Sequence, residues 1–295
     1  MNPLDTLGLP PLPEALPRPV VDNHTHLWST HEYSGLPVGD SLRLAAQVGV
    51  SRVIEVGCDV ESSRAAIELA ERQPAVRAAV ALHPNDAARV FLRDGAAGLA
   101  AVLAELEPLV AAPEVVAVGE TGLDYFRTEP PWRGAQEDSF RWHIDLAKRT
   151  GRALQIHDRD AHADVLRVLA DEGAPERTVL HCFSGDVEVA REAVWRGYYL
   201  SYAGTVTFRS AGLLREALAI TPLDQLLVET DAPYLAPHPW RGAVNASYLI
   251  PVTVRLMAEV KGVSVEALCE ALEANRRAVY GEWDGITALH VSPLP

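Results

Sequence analysis

Eight short apolar runs of strand character recur along this chain, each parted from the next by a stretch with helical spacing. That alternation constrains the fold more than any other feature. The runs are 20–27, 52–58, 77–83, 115–120, 153–157, 178–182, 198–202 and 226–231. Between them lie Ala-, Leu-, Glu- and Arg-rich segments such as 62–72, 98–109, 136–149, 163–172 and 187–196, with apolar residues three and four apart. A strand, a helix and a second strand in sequence impose parallel pairing with a crossover. Eight such units with no linker after Val20 predict a closed (β/α)8 TIM barrel, an α/β fold, in which the helices 248–261 and 264–280 complete the ring. Residues 20–283 would form this single domain and 284–295 a C-terminal tail. Residues 1–19 hold six prolines, which fix φ and remove backbone donors, so they are expected to form an extended arm with structure beginning at Val20.

Charge narrows the function. The 295 residues carry 40 acidic and 26 basic side chains, a net charge of −14, and the only lysines are Lys148 and Lys261. Binding nucleic acid through a broad basic surface is excluded, because that mode needs many cations to displace phosphate counterions. No apolar run approaches the roughly 20 residues that span a bilayer, and no secretory signal opens the chain, so a cytoplasmic protein without a membrane partner is expected. Cys58, Cys182 and Cys269 form no C-x-x-C pair and read as reduced, structural thiols.

A barrel of this kind works at the C-terminal ends of its strands. Here those ends are rich in metal-ligand types: His24 and His26 on the first, His83 on the third, Glu120 on the fourth, His157 on the fifth, His181 on the sixth and Asp231 on the eighth. Alternation along a strand sends His24 and His26 to one face. Four imidazoles (His24, His26, His157, His181) and two carboxylates (Glu120, Asp231) exceed the needs of one tetrahedral zinc. They suit two divalent ions about 3.5–4 Å apart, the geometry of in-line displacement at phosphorus. Glu120, with two oxygens, is the natural bridge, since neither lysine ends a strand and a carboxylated lysine is ruled out. Mg2+, Mn2+ and Zn2+ all remain open, because imidazole favours zinc and phosphodiester chemistry often uses the other two.

The strings Asp22-Asn23-His24-Thr25-His26-Leu27, Gly119-Glu120-Thr121-Gly122-Leu123-Asp124-Tyr125, His157-Asp158-Arg159-Asp160-Ala161, His181-Cys182-Phe183-Ser184-Gly185 and 229–237 (ETDAPYLAP) occur in the order of the TatD family of metal-dependent hydrolases, which the chain strongly resembles from about Val20 to Tyr280. The resemblance implies a metallo-dependent hydrolase barrel and a deoxyribonuclease of 3'-5' exonuclease type that acts on single-stranded DNA ends or short oligonucleotides, with no obligate protein partner. It also implies one metal on His24, His26, Glu120 and Asp231, and a second on Glu120, His157 and His181. Three positions depart from the family pattern. Asn23 replaces a small residue and is expected to point outward from the barrel; Ala81-Leu82 precede His83 where Gly-Val is commoner; and Ala246 stands where a polar residue is usual.

Among the remaining residues, Asp231 is the expected general base and Glu229, on the same strand face, either steadies a ligand or packs against an arginine. Arg159 is expected to contact phosphate or to pair with Asp158 or Asp160, and His83 to donate to substrate or serve structure. Arg209 and Arg241 are weaker phosphate candidates. Tyr125 and Phe126 offer rings for base stacking or for packing beneath their loop. Cys182 is expected in the barrel wall and not as a nucleophile. Two other functions share the fold: hydrolysis of an ester or amide such as a D-aminoacyl-tRNA, and a scaffold that has lost its metals, which the six intact ligand positions disfavour.

Overall fold

The computed structural model describes residues 3–283. Eight parallel strands follow one another around a single sheet: β1 (Val20–Thr25), β2 (Val50–Val56), β3 (Val76–Val80), β4 (Val115–Asp124), β5 (Ala153–Arg159), β6 (Thr178–Leu180), β7 (Tyr199–Tyr202) and β8 (Leu226–Val228). The helices are α1 (Pro3–Thr6), α2 (Leu27–Ser34), α3 (Val38–Gln47), α4 (Val60–Arg72), α5 (Pro84–Leu106), α6 (Arg133–Thr150), α7 (His162–Glu172), α8 (Val187–Trp195), α9 (Gly212–Ile220), α10 (Ile250–Lys261) and α11 (Val265–Tyr280). The expected barrel is present and nearly closed.

The β8–β1 seam is joined by the single Thr25–Ala232 bridge and by side chains, without a strand ladder among the described residues. Asn23 Nδ2 donates to Val228 O at 2.7 Å, and Asp22 accepts from Thr230 N at 2.9 Å and Thr230 Oγ1 at 2.6 Å. Beyond them Asp231 N donates to His24 O and His26 N to Ala232 O. The seam therefore carries three proposed ligands at once.

Toward the mouth, β1 and β4 each contain an extra residue. Asp22 pairs with Val53 and Thr25 with Glu55, so three steps along β1 match two along β2; Val118 pairs with Leu154 and Thr121 with Ile156, giving β4 the same irregularity. Such bulges bend a strand and re-aim its side chains. Asn23, beside the β1 bulge, is buried at the seam. Its carbonyl accepts from Gln155 Nε2 at 2.8 Å.

The barrel interior is narrow and filled by Val21, Ile54, Val56, Ala79, Ala117, Ala153, Val179 and Leu227, with Val279, Tyr280 and Trp283 from the α11 end packed in the same cluster. Small residues leave room at the top for the polar cluster described below. The N-terminal segment is not a bare extended arm. It opens with the α1 turn, buries Leu4, Leu9 and Leu16, and is tied to the barrel by Leu16 N on Val48 O and by Tyr248 Oη on Pro10 O. Its prolines fix an extended path, and its leucines cover apolar surface. Helix α5 starts 14 residues before the expected 98 because Gly95, at φ 68° and ψ −169°, breaks a longer run into two. The tail 284–295 lies outside the described residues.

Candidate metal centre

Glu120 is buried, and its two oxygens face two different groups of residues. Oε2 lies 3.1 Å from His24 Nε2 and 3.9 Å from His26 Nε2, while Asp231 Oδ1 is 3.9 Å from the first imidazole and 3.6 Å from the second. Oε1 lies 2.7 Å from His157 Nδ1 and 3.2 Å from each of His181 Nε2 and His83 Nε2. Residues from β1, the β3–α5 turn, β4, β5 and the ends of β6 and β8 thus meet at one mouth. The six ligand positions named from sequence all converge there.

Each imidazole is oriented by what its other nitrogen touches. His26 Nδ1 lies 3.0 Å from Val56 O, which can only accept, so the proton sits on Nδ1 and Nε2 is left with a lone pair. His181 Nδ1 lies 3.1 Å from Glu229 Oε1, and His157 Nε2 lies 3.3 Å from Asp124 Oδ2. These are the carboxylate partners that fix the tautomer of a metal-bound histidine. His83 is arranged the other way. Asn85 N donates to its Nδ1 at 3.1 Å, so the neutral ring carries its proton on Nε2 and acts toward Glu120 as a donor.

The donor set fits divalent cations. His26 Nε2 faces carboxylate oxygens of Glu120 and Asp231 at 3.9 and 3.6 Å, an arrangement that needs positive charge, supplied by a proton on the ring or by a cation in its place. Four carboxylates, Glu120, Asp124, Glu229 and Asp231, meet around these imidazoles, a charge that two divalent ions would balance in place of the ring protons. The same field acts on protons. Burial works against charging His26 and His157, but Asp231 beside the first and Asp124 and Glu120 beside the second outweigh it and push both up to about 9. Burial would raise Glu120, yet His181, His83 and His157 hold it well below the usual carboxylate range. His24 goes the other way, lowered by burial and by His181, whose ring stacks on it at 3.9 Å. His24 Nδ1 and Glu229 Oε2 are buried without a hydrogen-bond partner.

Glu55 and Asp124 were not singled out from sequence. Glu55 accepts from Leu27 N at 2.6 Å, fixing the first turn of α2 directly after His26. Its carboxylate, raised to about 7 by burial, lies at the positive end of that helix. Asp124 accepts from Asn85 Nδ2 at 2.9 Å and Arg127 N at 2.8 Å, besides meeting His157. The available signal was its place four residues after Glu120 on one strand.

Of the candidates at the rim, Arg159 ends β5 exposed, its guanidinium 4.0 Å from the Phe126 ring centroid. No pairing with Asp158 or Asp160 occurs; Asp158 instead meets His162 Nδ1 at 2.7 Å. Tyr125 is engaged in packing, with its hydroxyl donated to Asp164 at 2.8 Å and Arg133 stacked on its ring at 3.9 Å. Arg241 lies over Phe208. Cys182 departs from the expected strand geometry, because β6 ends at Leu180 and Cys182 has φ 43°. Burial, followed by Asp231, Glu229 and Glu120, raises its thiol well above the ordinary value, which suppresses the nucleophilic thiolate.

Comparison with known proteins agrees with this geometry. The family described as TatD related DNase matches residues 21–281. The uncharacterized metal-dependent hydrolase TatD of Mycobacterium tuberculosis is 47% identical over 271 residues, covering 89% of this chain and 98% of that one. The uncharacterized metal-dependent hydrolase YabD of Bacillus subtilis is 35% identical over 260 residues, covering 88% and 98%. Among solved structures, YjjV, a TatD homologue from Escherichia coli K12, superposes with a TM-score of 0.81 at 29% identity, covering 89% of this chain and 98% of that one. The chain belongs to the TatD family of metal-dependent hydrolases.

Proposed function

We propose that the protein is a two-metal phosphodiesterase that removes nucleotides from single-stranded DNA ends. The observation that carries this reading is the division of Glu120: Oε2 toward His24 and His26, which also face Asp231, and Oε1 toward His157, His181 and the donor His83. Divalent cations held by these two sets would polarise a phosphoryl oxygen and acidify water. Asp231, at the open edge of the cluster, takes the proton of the attacking water. His83 offers its Nε2–H to a phosphoryl oxygen, held for that purpose by Asn85 N. Glu229 and Asp124 keep His181 and His157 in place, and Arg159 binds a flanking phosphate at the rim. Water oxygen bonds to phosphorus as the P–O bond to the departing sugar oxygen breaks, leaving a phosphomonoester and a hydroxyl. The net charge of −14 is compatible with this reading, since attraction for phosphate would be local to the cations.

An ester or amide carrying a positive charge is the second reading. It is favoured by a groove of about 570 Å3 whose lining is largely apolar, with Tyr125, Leu166 and Val189, and carries the carboxylates Asp160, Glu188 and Glu192, which suit an ammonium group on an apolar side chain. None of the proposed ligands lines it. End-labelled single-stranded DNA and an aminoacyl ester, each incubated with metal-loaded protein, with chelator and with the Glu120→Ala protein, separate the two. Nucleotide release lost with chelator and in Glu120→Ala supports the phosphodiesterase. Ester cleavage with DNA left intact overturns it.

A further inference from the structure

A continuous run of aromatic rings leads from the metal centre out to solvent past His26. His181 stacks on His24 with centroids 3.9 Å apart; His24 meets His26 at 5.2 Å, His26 meets Tyr234 at 6.4 Å, and Tyr234 meets Tyr33 at 6.1 Å and 74°. The first rings are buried, whereas Tyr234 is 47% and Tyr33 64% exposed. Two rings at nearly right angles form a corner open to solvent, directly outside the His24, His26 and Asp231 half of the cluster.

Both rings stand on rigid mounts that are continuous with proposed ligands. Tyr234 is three residues beyond Asp231, and its N–H donates to Asp231 O at 3.0 Å. Buried Asn245 clamps the same turn, donating Nδ2 to Thr230 O at 3.0 Å and to Tyr234 O at 2.7 Å. Tyr33 rides on α2, which begins immediately after His26 and is pinned at its first turn by Glu55. Exposed aromatic rings on a fixed backbone cost little entropy when a flat ligand covers them.

Resting on the phosphodiesterase reading, we infer that Tyr33 and Tyr234 form the subsite for a nucleobase of the nucleotide whose phosphate is cleaved. The base stacks in the corner while its phosphate reaches the cations past His26. Stacking accepts every base, so this subsite selects nucleosides over base-free sugar phosphates without choosing a sequence. Arg159 and Phe126, on the opposite rim, are left for the backbone of the remaining strand.

The test compares metal-loaded wild-type protein, Tyr33→Ala/Tyr234→Ala and Tyr33→Phe/Tyr234→Phe on two single-stranded oligonucleotides. One carries a normal terminal nucleotide and the other a tetrahydrofuran abasic residue at that end. Binding of thymidine 5'-phosphate and of deoxyribose 5-phosphate is measured in parallel by calorimetry. Wild type should prefer the base-bearing member of each pair by about tenfold or more, the double phenylalanine protein should keep that preference, and the double alanine protein should bring the two within about twofold. Equal handling of both by wild type, or a preference that survives the double alanine substitution, overturns the subsite. If no oligonucleotide is cleaved, the phosphodiesterase reading fails, and the ratio of the two binding constants still decides whether a base stacks there.

Discussion

Glu229 Oε1 lies 3.1 Å from His181 Nδ1 at a fully buried strand end, leaving His181 Nε2 to face Glu120. Partners of this kind set ring orientation and ligand basicity. Glu229→Ala should therefore weaken the binding of one divalent ion about 10–100-fold, and Glu229→Gln, which retains an acceptor, should weaken it less. Isothermal titration with Zn2+ or Mn2+ measures this; an unchanged affinity in Glu229→Ala would remove Glu229 from the site.

Asp124 holds the other side. Its Oδ2 lies between Asn85 Nδ2 and His157 Nε2, and Oδ1 accepts from Arg127 N. Asp124→Asn replaces a carboxylate by an amide at His157 and should also lower divalent-ion affinity about 10–100-fold. His157 and His181 both face Glu120 Oε1, so the Asp124→Asn/Glu229→Ala protein should lose affinity for the same ion as either single variant, and a titration in which the two losses fall on different ions would contradict the grouping of His157 with His181.

How far the sequence discloses such a site is visible in these residues. His24, His26, Glu120, His157, His181 and Asp231 are legible because barrel topology turns strand ends into neighbours, and strand ends are local in sequence. Cys182 escapes the alternation rule because β6 stops at Leu180. Asp124 and Glu55 were missed because their value lies in partners 33 and 28 residues away, across loops and helix starts that no spacing rule encodes. Prolines disclosed an extended N-terminal path but not that Leu4, Leu9 and Leu16 would cover the barrel.

The last point has a measurable consequence. Leu16 is buried and its N–H is bonded to Val48 O at 3.0 Å. Leu16→Ala should cost about 2–3 kcal/mol of stability, the lower part of the range for buried leucines, because the site lies near the surface. Urea unfolding measures the loss, and a loss below about 0.5 kcal/mol would show the segment to be loosely attached.

A buried histidine outside the metal centre predicts a pH effect. His143 on α6 accepts from Leu82 N through Nε2 at 3.1 Å, while its Nδ1 lies 2.7 Å from Ser139 O, so a second ring proton has no acceptor. Burial lowers it to about 4 from an ordinary value of 6.5, a shift that Ser139 O only partly opposes. Between pH 6.5 and about 4 the unfolded chain binds this proton and the folded chain does not, so stability falls as the pH is lowered through that window. The contribution is on the order of 3 kcal/mol across the window. Comparing urea unfolding of wild type and His143→Gln at several pH values isolates it; parallel curves for the two proteins would contradict the assignment.

The most direct measurement is the rate of nucleotide release from single-stranded DNA by chelator-stripped protein as divalent ion is added back in known equivalents. A bridging Glu120 between two half-sites predicts a rate that reaches its plateau at two equivalents per chain and is abolished by Glu120→Ala. A plateau at one equivalent, or release that persists in Glu120→Ala, would contradict it.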